Sequence, residues 1–268
     1  MVYASPVPAE FVNGSFYDRQ SFYLSRDKLE GDYSSVRFKR EIRIFRKFCK
    51  GGEVLDVGCS TGAFLWQVMR RFPENYEVLG TDVAGKPLDF ARERGVPVVR
   101  EPFLEMREDG RKFDAICFWA VVEHLAQPRL FLQKAESLLK GGGHCFILVP
   151  NLRSLATRFL GPKYRYIMPD HLNYFEKATL LRLLEKTKGL EPIANGTSHF
   201  NPAVIWTDWR RPADHKVPAE ERAGLLRKTT VLKESAWLAP LRPVYSSLET
   251  ALSWADLADN LWVVVRKK

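Results

Sequence analysis

The sequence predicts a doubly wound α/β fold: a mostly parallel seven-stranded sheet with helices on both faces, and a helical insert before the last strand. Between residues 51 and 198, short apolar segments alternate with amphipathic segments, which is typical of repeated strand and helix units. A Gly-rich turn directly follows the first apolar segment. The 268 residues are 46% apolar and 27% charged, as in a packed globular protein, so we expect one large domain with appendages.

The predicted strands are short runs rich in Val, Ile, Leu and Phe, a composition that favours strands. The last run is β-branched, and we expect it to close the sheet. In order, the strands are residues 54–57, 77–82, 96–100, 114–119, 144–149, 191–195 and 261–265.

The predicted helices are longer segments in which apolar residues recur among charged ones at helical spacing. The first of them ends at Gly51 and Gly52, where the chain turns into the first strand. In order, the helices are residues 36–50, 64–71, 87–94, 128–139 and 177–186.

Four parts of the chain are expected. Residues 1–50 form an irregular N-terminal arm and a helix, residues 51–198 the core, residues 199–260 a helical insert, and residues 261–268 the last strand. The insert is expected to act as a lid or as an interface. Its apolar face consists of Leu225, Leu226, Val231, Leu232, Trp237, Leu238, Leu248, Leu252 and Trp254.

The sequence points to a cytoplasmic protein. No stretch has the roughly 18 to 20 apolar residues that span a bilayer, and residues 1–10 lack the features of a signal peptide. Cys49, Cys59, Cys117 and Cys145 are far apart, and we expect buried thiols with neither disulfides nor zinc.

The net charge of +9 is unevenly distributed. Residues 51–150 carry 12 Lys and Arg against 14 Asp and Glu, so the basic excess lies outside this segment. It indicates either contact with an anionic partner or a solvated basic surface. The basic residues of the first helix are Arg37, Lys39, Arg40, Arg43, Arg46 and Lys47.

The turn after the first strand contains Gly58, Ser60 and Gly62, whose small size lets the backbone approach a ligand. A dinucleotide fingerprint needs glycines where this chain has Ser60 and Ala63, which weakens that interpretation. A phosphate-binding P-loop is excluded because Gly62 is followed by Ala63 and Phe64. Asp82 ends the next strand, where a carboxylate accepts hydrogen bonds from both hydroxyls of a ribose.

These motifs resemble those of the class I S-adenosylmethionine-dependent methyltransferases, a family with a Rossmann-like core, from about residue 36 to residue 195. The matching segments are residues 55–62, 80–82, 113–116, 123–124, 138–143 and 149–151. The resemblance implies S-adenosylmethionine as cofactor. It further implies that Asp56, Gly58, Ser60 and Gly62 contact the methionine end and the ribose, that Asp82 binds the ribose, and that Glu101 and Phe103 lie near adenine. Trp119 either packs over the cofactor or fills the core.

A base for the acceptor is expected after the fourth strand. His124 is the leading candidate because an imidazole titrates near neutral pH, and the alternative is that Glu123 and His124 only hold the loop. The stretch around His171 resembles a subset of family members that modify quinone precursors, sugars and other small metabolites. This makes His171, Tyr174, Tyr164 and Arg165 candidates for the acceptor site, with aromatic packing of a loop as the alternative.

No metal is expected, because no cluster of His, Cys and carboxylate residues has the spacing of a closed metal site, and the side chains of Glu123 and His124 are adjacent rather than convergent. The best-supported function is methylation of oxygen or nitrogen on a small molecule. One alternative is an RNA methyltransferase, and no base-flipping motif or RNA-binding module supports it. The other is a non-catalytic cofactor-binding subunit, or a homodimer, that associates through Trp206, Trp209, Trp237 and Trp254.

Overall fold

The computed structural model describes residues 2–3, 6–12, 15–19, 26–107, 109–212 and 242–268. Within these residues the central sheet has seven strands in the order β4-β3-β2-β5-β6-β9-β8. The strands are β2 (Gly52–Val57), β3 (Tyr76–Asp82), β4 (Val98–Arg100), β5 (Phe113–Trp119), β6 (Leu139–Pro150), β8 (Leu190–Ser198) and β9 (Asn260–Lys267). Strand β9 runs antiparallel to β6 and β8, and the other six described strands run parallel to one another. The predicted mostly parallel sheet is confirmed.

A second, two-stranded sheet pairs β1 (Val2–Tyr3) with β7 (Asn173–Tyr174). The described helices are α1 (Ala9–Val12), α2 (Ser15–Arg19), α3 (Arg26–Asp32), α4 (Lys39–Phe48), α5 (Ala63–Arg71), α6 (Gly85–Glu93), α7 (Pro128–Leu138), α8 (Leu155–Leu160), α9 (Lys177–Glu185), α10 (Pro202–Trp209) and α11 (Arg242–Trp254). The sequence predicted an irregular N-terminal arm, but the described residues of the arm form one short strand and three short helices.

Alternating residues of the central strands face two separate cores, as expected for a sheet buried on both sides. On one face Leu55, Ile116 and Ile147 pack with apolar residues of α7 and α9. On the other face Val54, Phe146 and Val264 pack with apolar residues of α4, α5 and α6. The amphipathic helices thus cover both faces of the sheet.

Most predicted boundaries shift in the structure, by up to five residues, and two of the shifts have a clear local cause. Helix α4 begins at Lys39 rather than at residue 36, because Phe38 adopts a left-handed backbone (φ +60°) that a helix cannot continue. Strand β4 begins at Val98 rather than at residue 96, because the backbone N–H of Val96 donates to the carbonyl of Ala91 at the end of α6.

The predicted helical insert contains α10 and α11. Of its proposed apolar face, Leu225, Leu226, Val231, Leu232, Trp237 and Leu238 lie outside the described residues. All four cysteines are buried free thiols. Among the described helices, none has the length and apolar character needed to cross a bilayer.

Candidate cofactor and acceptor site

The turn between β2 and α5 brings backbone atoms to the carboxyl edge of the sheet. Gly58 and Gly62 have φ angles of +66° and +68°, and Ser60 has a φ of +49°. A Cβ atom on Gly58 would lie 2.7 Å from the side chain of Val121, and one on Gly62 would lie 3.0 Å from Val96. Both glycines are therefore required by left-handed backbone and by close neighbours.

Asp82 joins this turn to the end of β3. One carboxylate oxygen accepts a hydrogen bond from the backbone N–H of Ser60 at 2.8 Å, and the other accepts one from the backbone N–H of Ala84 at 2.9 Å. Each oxygen has a second lone pair. Asp82 is therefore held in one orientation at the carboxyl edge of the sheet, where a carboxylate is suited to the hydroxyls of a ribose.

Asp56 supplies a second carboxylate at the same edge and is only 3% exposed. Burial, and then the negative charge of Asp82, raise the pKa of Asp56 well above its usual range. No Lys, Arg or His among the described residues forms an ion pair with Asp56. A buried carboxylate without its own cation fits a ligand that carries positive charge, as the sulfonium and ammonium groups of S-adenosylmethionine do.

The loop after β4 places only one of its two predicted adenine neighbours at the surface. Glu101 is partly exposed, and its carbonyl oxygen accepts a hydrogen bond from the hydroxyl of Thr81 at 2.5 Å. Phe103 is 4% exposed and belongs to the core, with its ring 5.7 Å from the rings of both Phe118 and Phe131. The structure thus places Phe103 in the core, whereas the sequence had indicated a position beside the base.

Trp119, at the end of β5, packs mainly inward. Its ring lies 5.1 Å from Phe64 and 6.2 Å from Phe146, and it joins the core on the α5 face of the sheet. These contacts correspond to the core-filling alternative that the sequence left open.

His124 lies in a single turn of 3-10 helix, Val122–His124, that follows β5. Its Nδ1 atom is 2.8 Å from the carbonyl oxygen of Asp170. A carbonyl can only accept, so Nδ1 carries the proton and the neutral ring has its lone pair on Nε2. The ring of His171 stands perpendicular to that of His124, with centroids 4.7 Å apart. The structure therefore brings together the two histidines that the sequence singled out.

Glu123 lies beside this pair and is 1% exposed. Neither carboxyl oxygen accepts a hydrogen bond from another described residue. Burial raises the pKa of Glu123 to about 8, and the charge of Asp170 adds to the increase. At neutral pH the carboxyl is largely protonated.

The expectation that Glu123 and His124 do not converge is wrong. One ligand atom from each of Glu123, His124 and His171 lies within 4.8 Å of the others. The reason is that the 3-10 turn folds both adjacent side chains toward the loop that carries His171. Two imidazoles and a carboxyl group could hold a divalent cation or handle a proton.

The predicted acceptor contacts have partners within the protein. Arg165 is buried in a two-point ion pair with Asp208, with nitrogen to oxygen distances of 3.0 and 2.5 Å. Tyr164 is 2% exposed and belongs to a small core with α8 and α10. The hydroxyl of Tyr174 donates to the carbonyl of Met168 at 3.0 Å. These residues fix the loop that carries His171.

Three residues of the site were not identified from the sequence. Tyr17 contacts the ring of His124, Asp170 holds its Nδ1 atom, and Asn173 donates from its side chain to the carbonyl of Leu125 at 2.7 Å. Asp170 and Asn173 flank a histidine that the sequence did single out, so their neighbourhood was a usable signal. Tyr17 had no such signal, because its contact depends on how the N-terminal arm folds back.

The sheet order, the turn of small residues and the paired carboxylates define a class of protein: a Rossmann-like core that binds S-adenosylmethionine. The model of the family described as "Methyltransferase domain" matches residues 34–194. The chain belongs to this family, is an S-adenosylmethionine-dependent methyltransferase, and uses S-adenosylmethionine as its cofactor.

Known relatives support the same assignment. A ubiquinone biosynthesis O-methyltransferase of Chelativorans sp. (strain BNC1) is 32% identical over 57% of this chain and 62% of its own length. The protein of that name from Mesorhizobium japonicum is 30% identical over 76% of this chain and 85% of its own length. Phosphoethanolamine N-methyltransferase 2 of Haemonchus contortus, solved with S-adenosyl-L-methionine, has the same fold, with a TM-score of 0.60 at 17% identity over 96% of this chain and 60% of that chain.

Proposed function

We propose that this methyltransferase methylates a hydroxyl oxygen of a small aromatic acceptor of the quinone-precursor type. The main support for this proposal is the orientation of the His124 imidazole. Its Nδ1–H donates to the carbonyl of Asp170, so the lone pair of the neutral ring is on Nε2. Oxygen acceptors need such a base because a neutral hydroxyl must lose its proton to become a good nucleophile. The names of the two bacterial relatives support oxygen and a quinone precursor.

When bound, S-adenosylmethionine supplies a methyl group that its sulfonium charge already activates. The protein then has two tasks, which are to align the acceptor and to remove its proton. Asp56, Gly58, Ser60, Gly62, Asp82 and Glu101 are the proposed cofactor contacts. His124 takes the acceptor proton on Nε2, while Nδ1–H donates to Asp170 and keeps the ring in that tautomer.

Glu123 and His171 shape the space around the base. Because the carboxyl of Glu123 is largely protonated at neutral pH, it adds no full negative charge beside the acceptor. His171 is 5% exposed and packs perpendicular to His124, so it limits rotation of the imidazole. We propose that His171 orients the base and that Tyr164, Arg165 and Tyr174 support its loop.

Calorimetric titration tests the cofactor site. We expect micromolar binding of S-adenosylmethionine and of its demethylated product, no binding of NAD, and loss of adenosyl binding in Asp82→Ala. Asp89→Ala is the matched control, because Asp89 is an exposed carboxylate on α6 that pairs only with Arg92 among the described residues. Equal affinity in Asp82→Ala and the wild type would contradict the proposed ribose contact.

An acceptor screen tests the reaction. The purified protein is incubated with labelled S-adenosylmethionine and hydroxylated benzoates, hydroquinones, the corresponding anilines, or a short RNA. We expect label on the phenolic compounds. Transfer to RNA instead would favour the nucleic-acid alternative, which the basic side chains of Lys39, Arg43 and Lys47 on α4 keep open. Transfer to the anilines alone would move the assignment to nitrogen.

The insert is proposed to contribute to the acceptor side of the site or to a homodimer. Helix α10 packs on α8 through Val204, Ala156 and Leu160, next to the loop that carries His171. Sedimentation equilibrium tests the dimer, and a monomer that turns over would leave the lid as the role of the insert.

A further inference from the structure

The N-terminal arm, described at residues 2–3, 6–12, 15–19 and 26–35, pairs at its first strand with the loop that holds the proposed base. Strand β1 pairs antiparallel with β7, with Val2 opposite Tyr174 and Tyr3 opposite Asn173. Strand β7 begins two residues after His171. One short segment of the core therefore supports both the imidazole of His124 and the beginning of the arm.

Further along, the arm also covers the cofactor turn. The hydroxyl of Tyr33 donates to the carbonyl of Thr61, and the hydroxyl of Thr61 donates to the carboxylate of Asp32 at 3.2 Å. The ring of Tyr33 packs edge-to-face on the rings of Trp66 and Phe90, with centroid distances of 5.0 and 5.7 Å. The arm thus contacts the core at both halves of the site.

Between these two attachments, α2 places Tyr17 against His124. The two rings are nearly perpendicular (86°), with centroids 5.8 Å apart. Tyr17 is supported from behind by Phe16 at 5.3 Å, and Phe16 packs on Phe11 at 4.4 Å. Because Phe11 is buried, this aromatic stack has a fixed base.

The surroundings of Tyr17 locate it between the cofactor side and the base. Burial raises the pKa of Tyr17 well above its usual range, and the charges of Asp170, Glu123 and Asp82 raise it further. Asp82 belongs to the proposed ribose contact, and Glu123 is next to the base. Tyr17 is therefore a neutral phenol at the junction of the two.

His124 has restraints on three sides. The carbonyl of Asp170 holds Nδ1, the ring of His171 lies at 4.7 Å, and the ring of Tyr17 lies at 5.8 Å. The first two come from the core loop and the third from the arm. We propose that Tyr17 is a positioning residue whose ring keeps the imidazole of His124 in one orientation, so that the N-terminal arm is part of the acceptor site.

The inference rests on the proposed function only for the role of His124 as base. Its first test needs no acceptor. Nitrogen-15 NMR of labelled protein reports the imidazole tautomer of His124, assigned among the five histidines of the chain with a His124→Gln variant. We expect a single tautomer with the proton on Nδ1 in the wild type and in Tyr17→Phe, and averaging between tautomers in Tyr17→Ala.

Kinetics provide the second test. Tyr17→Ala is expected to lower kcat at least about tenfold, with the affinity for S-adenosylmethionine unchanged within about twofold, whereas Tyr17→Phe is expected to stay within about threefold of the wild-type kcat because it keeps the ring. Arg71→Ala is the matched control, because it removes the hydrogen bond from Arg71 to the carbonyl of Ser35 at 2.9 Å, which ties the end of the arm to α5, and leaves the ring contacts of Tyr17 in place. It is expected to keep the tautomer.

An unchanged tautomer and kcat in Tyr17→Ala would overturn the proposal. An equal loss in Arg71→Ala would also overturn it, since general loosening of the arm would then be the cause. If the acceptor screen finds no substrate, the proposed function fails, while the NMR experiment still decides the role of Tyr17.

Discussion

Val121 occupies the space that a side chain at Gly58 would need, since a Cβ atom there would lie 2.7 Å from a methyl group of Val121. The turn after β2 and the loop after β5 can therefore pack this closely only because residue 58 has no side chain. Because Val121 is three residues before His124, this contact links the cofactor turn to the proposed base.

Gly58→Ala is expected to weaken cofactor binding at least tenfold and to destabilise the fold. The variant combines left-handed backbone, which costs a non-glycine residue about 1 to 2 kcal/mol, with a steric conflict. Gly95→Ala is the control, because Gly95 has a φ of +74° but no neighbour within 4 Å of a Cβ atom. Calorimetric titration and urea unfolding measure both effects. Similar results for the two variants would show that Val121 plays no part.

His124→Gln is expected to lower kcat by roughly 10² to 10⁴, the usual contribution of a general base. Affinity for S-adenosylmethionine should stay unchanged, because no proposed cofactor contact is removed. The control is His144→Gln, since His144 belongs to β6 and packs near Phe48. Steady-state kinetics with the best acceptor give the answer. Full activity of His124→Gln would leave His124 with a structural role.

Removal of divalent metal is expected to leave turnover unchanged. Glu123 is largely protonated at neutral pH, and a protonated carboxyl is a poor metal ligand. Activity is measured after dialysis against EDTA and again after addition of magnesium or zinc. Loss with EDTA and recovery with metal would instead assign Glu123, His124 and His171 to a metal site.

Glu123→Gln is expected to stabilise the protein at alkaline pH. The pKa of Glu123 is raised to about 8 in the folded state, so between about pH 4.5 and pH 8 the folded protein holds a proton that the unfolded chain has lost. Stability of the wild type therefore falls as the pH rises through this window, by about 3 to 5 kcal/mol at most. Urea unfolding of both proteins at pH 5 and pH 8.5 measures the difference. A constant difference across the window would contradict a buried neutral Glu123.

Glu41→Gln is expected to destabilise the protein at neutral pH and to matter less in acid. Burial by itself would raise the pKa of Glu41, but the charge and hydrogen bond of His199, 2.8 Å away, outweigh burial and lower it to about 2. This stabilisation is present above the unfolded pKa near 4.5 and is lost as the pH falls through about 2, so the cost at pH 7 is about 2 to 4 kcal/mol.

The control for Glu41 is Glu191→Gln. Glu191 pairs with Arg266 at 3.2 Å, but both side chains are about half exposed, and exposed pairs contribute little. Urea unfolding at pH 7 and pH 3 compares the two variants. A loss in Glu41→Gln no larger than in Glu191→Gln would show that burial does not strengthen the pair with His199.

The turn and the carboxylate of the proposed cofactor site meet in the structure as the sequence predicted, because this part of the site is local in sequence. Gly58, Ser60 and Gly62 belong to one turn, and Asp82 ends the adjacent parallel strand, so the parallel order of strands brings them together. Strand boundaries were less predictable. Strand β4 starts later than predicted because the backbone N–H of Val96 donates a hydrogen bond to the carbonyl of Ala91 at the end of α6.

By itself, the sequence determined the mostly parallel sheet, the helices on its two faces and the turn of small residues at the edge proposed for the cofactor, because these follow from periodicity and from local turn composition. Only the tertiary structure decided that Glu123, His124 and His171 converge, that Arg165 pairs with Asp208 rather than facing an acceptor, and that Tyr17 reaches His124. The physical reason is that these contacts join residues far apart in the chain. Their distances depend on how loops and the N-terminal arm pack on the finished sheet, and no local pattern records that packing.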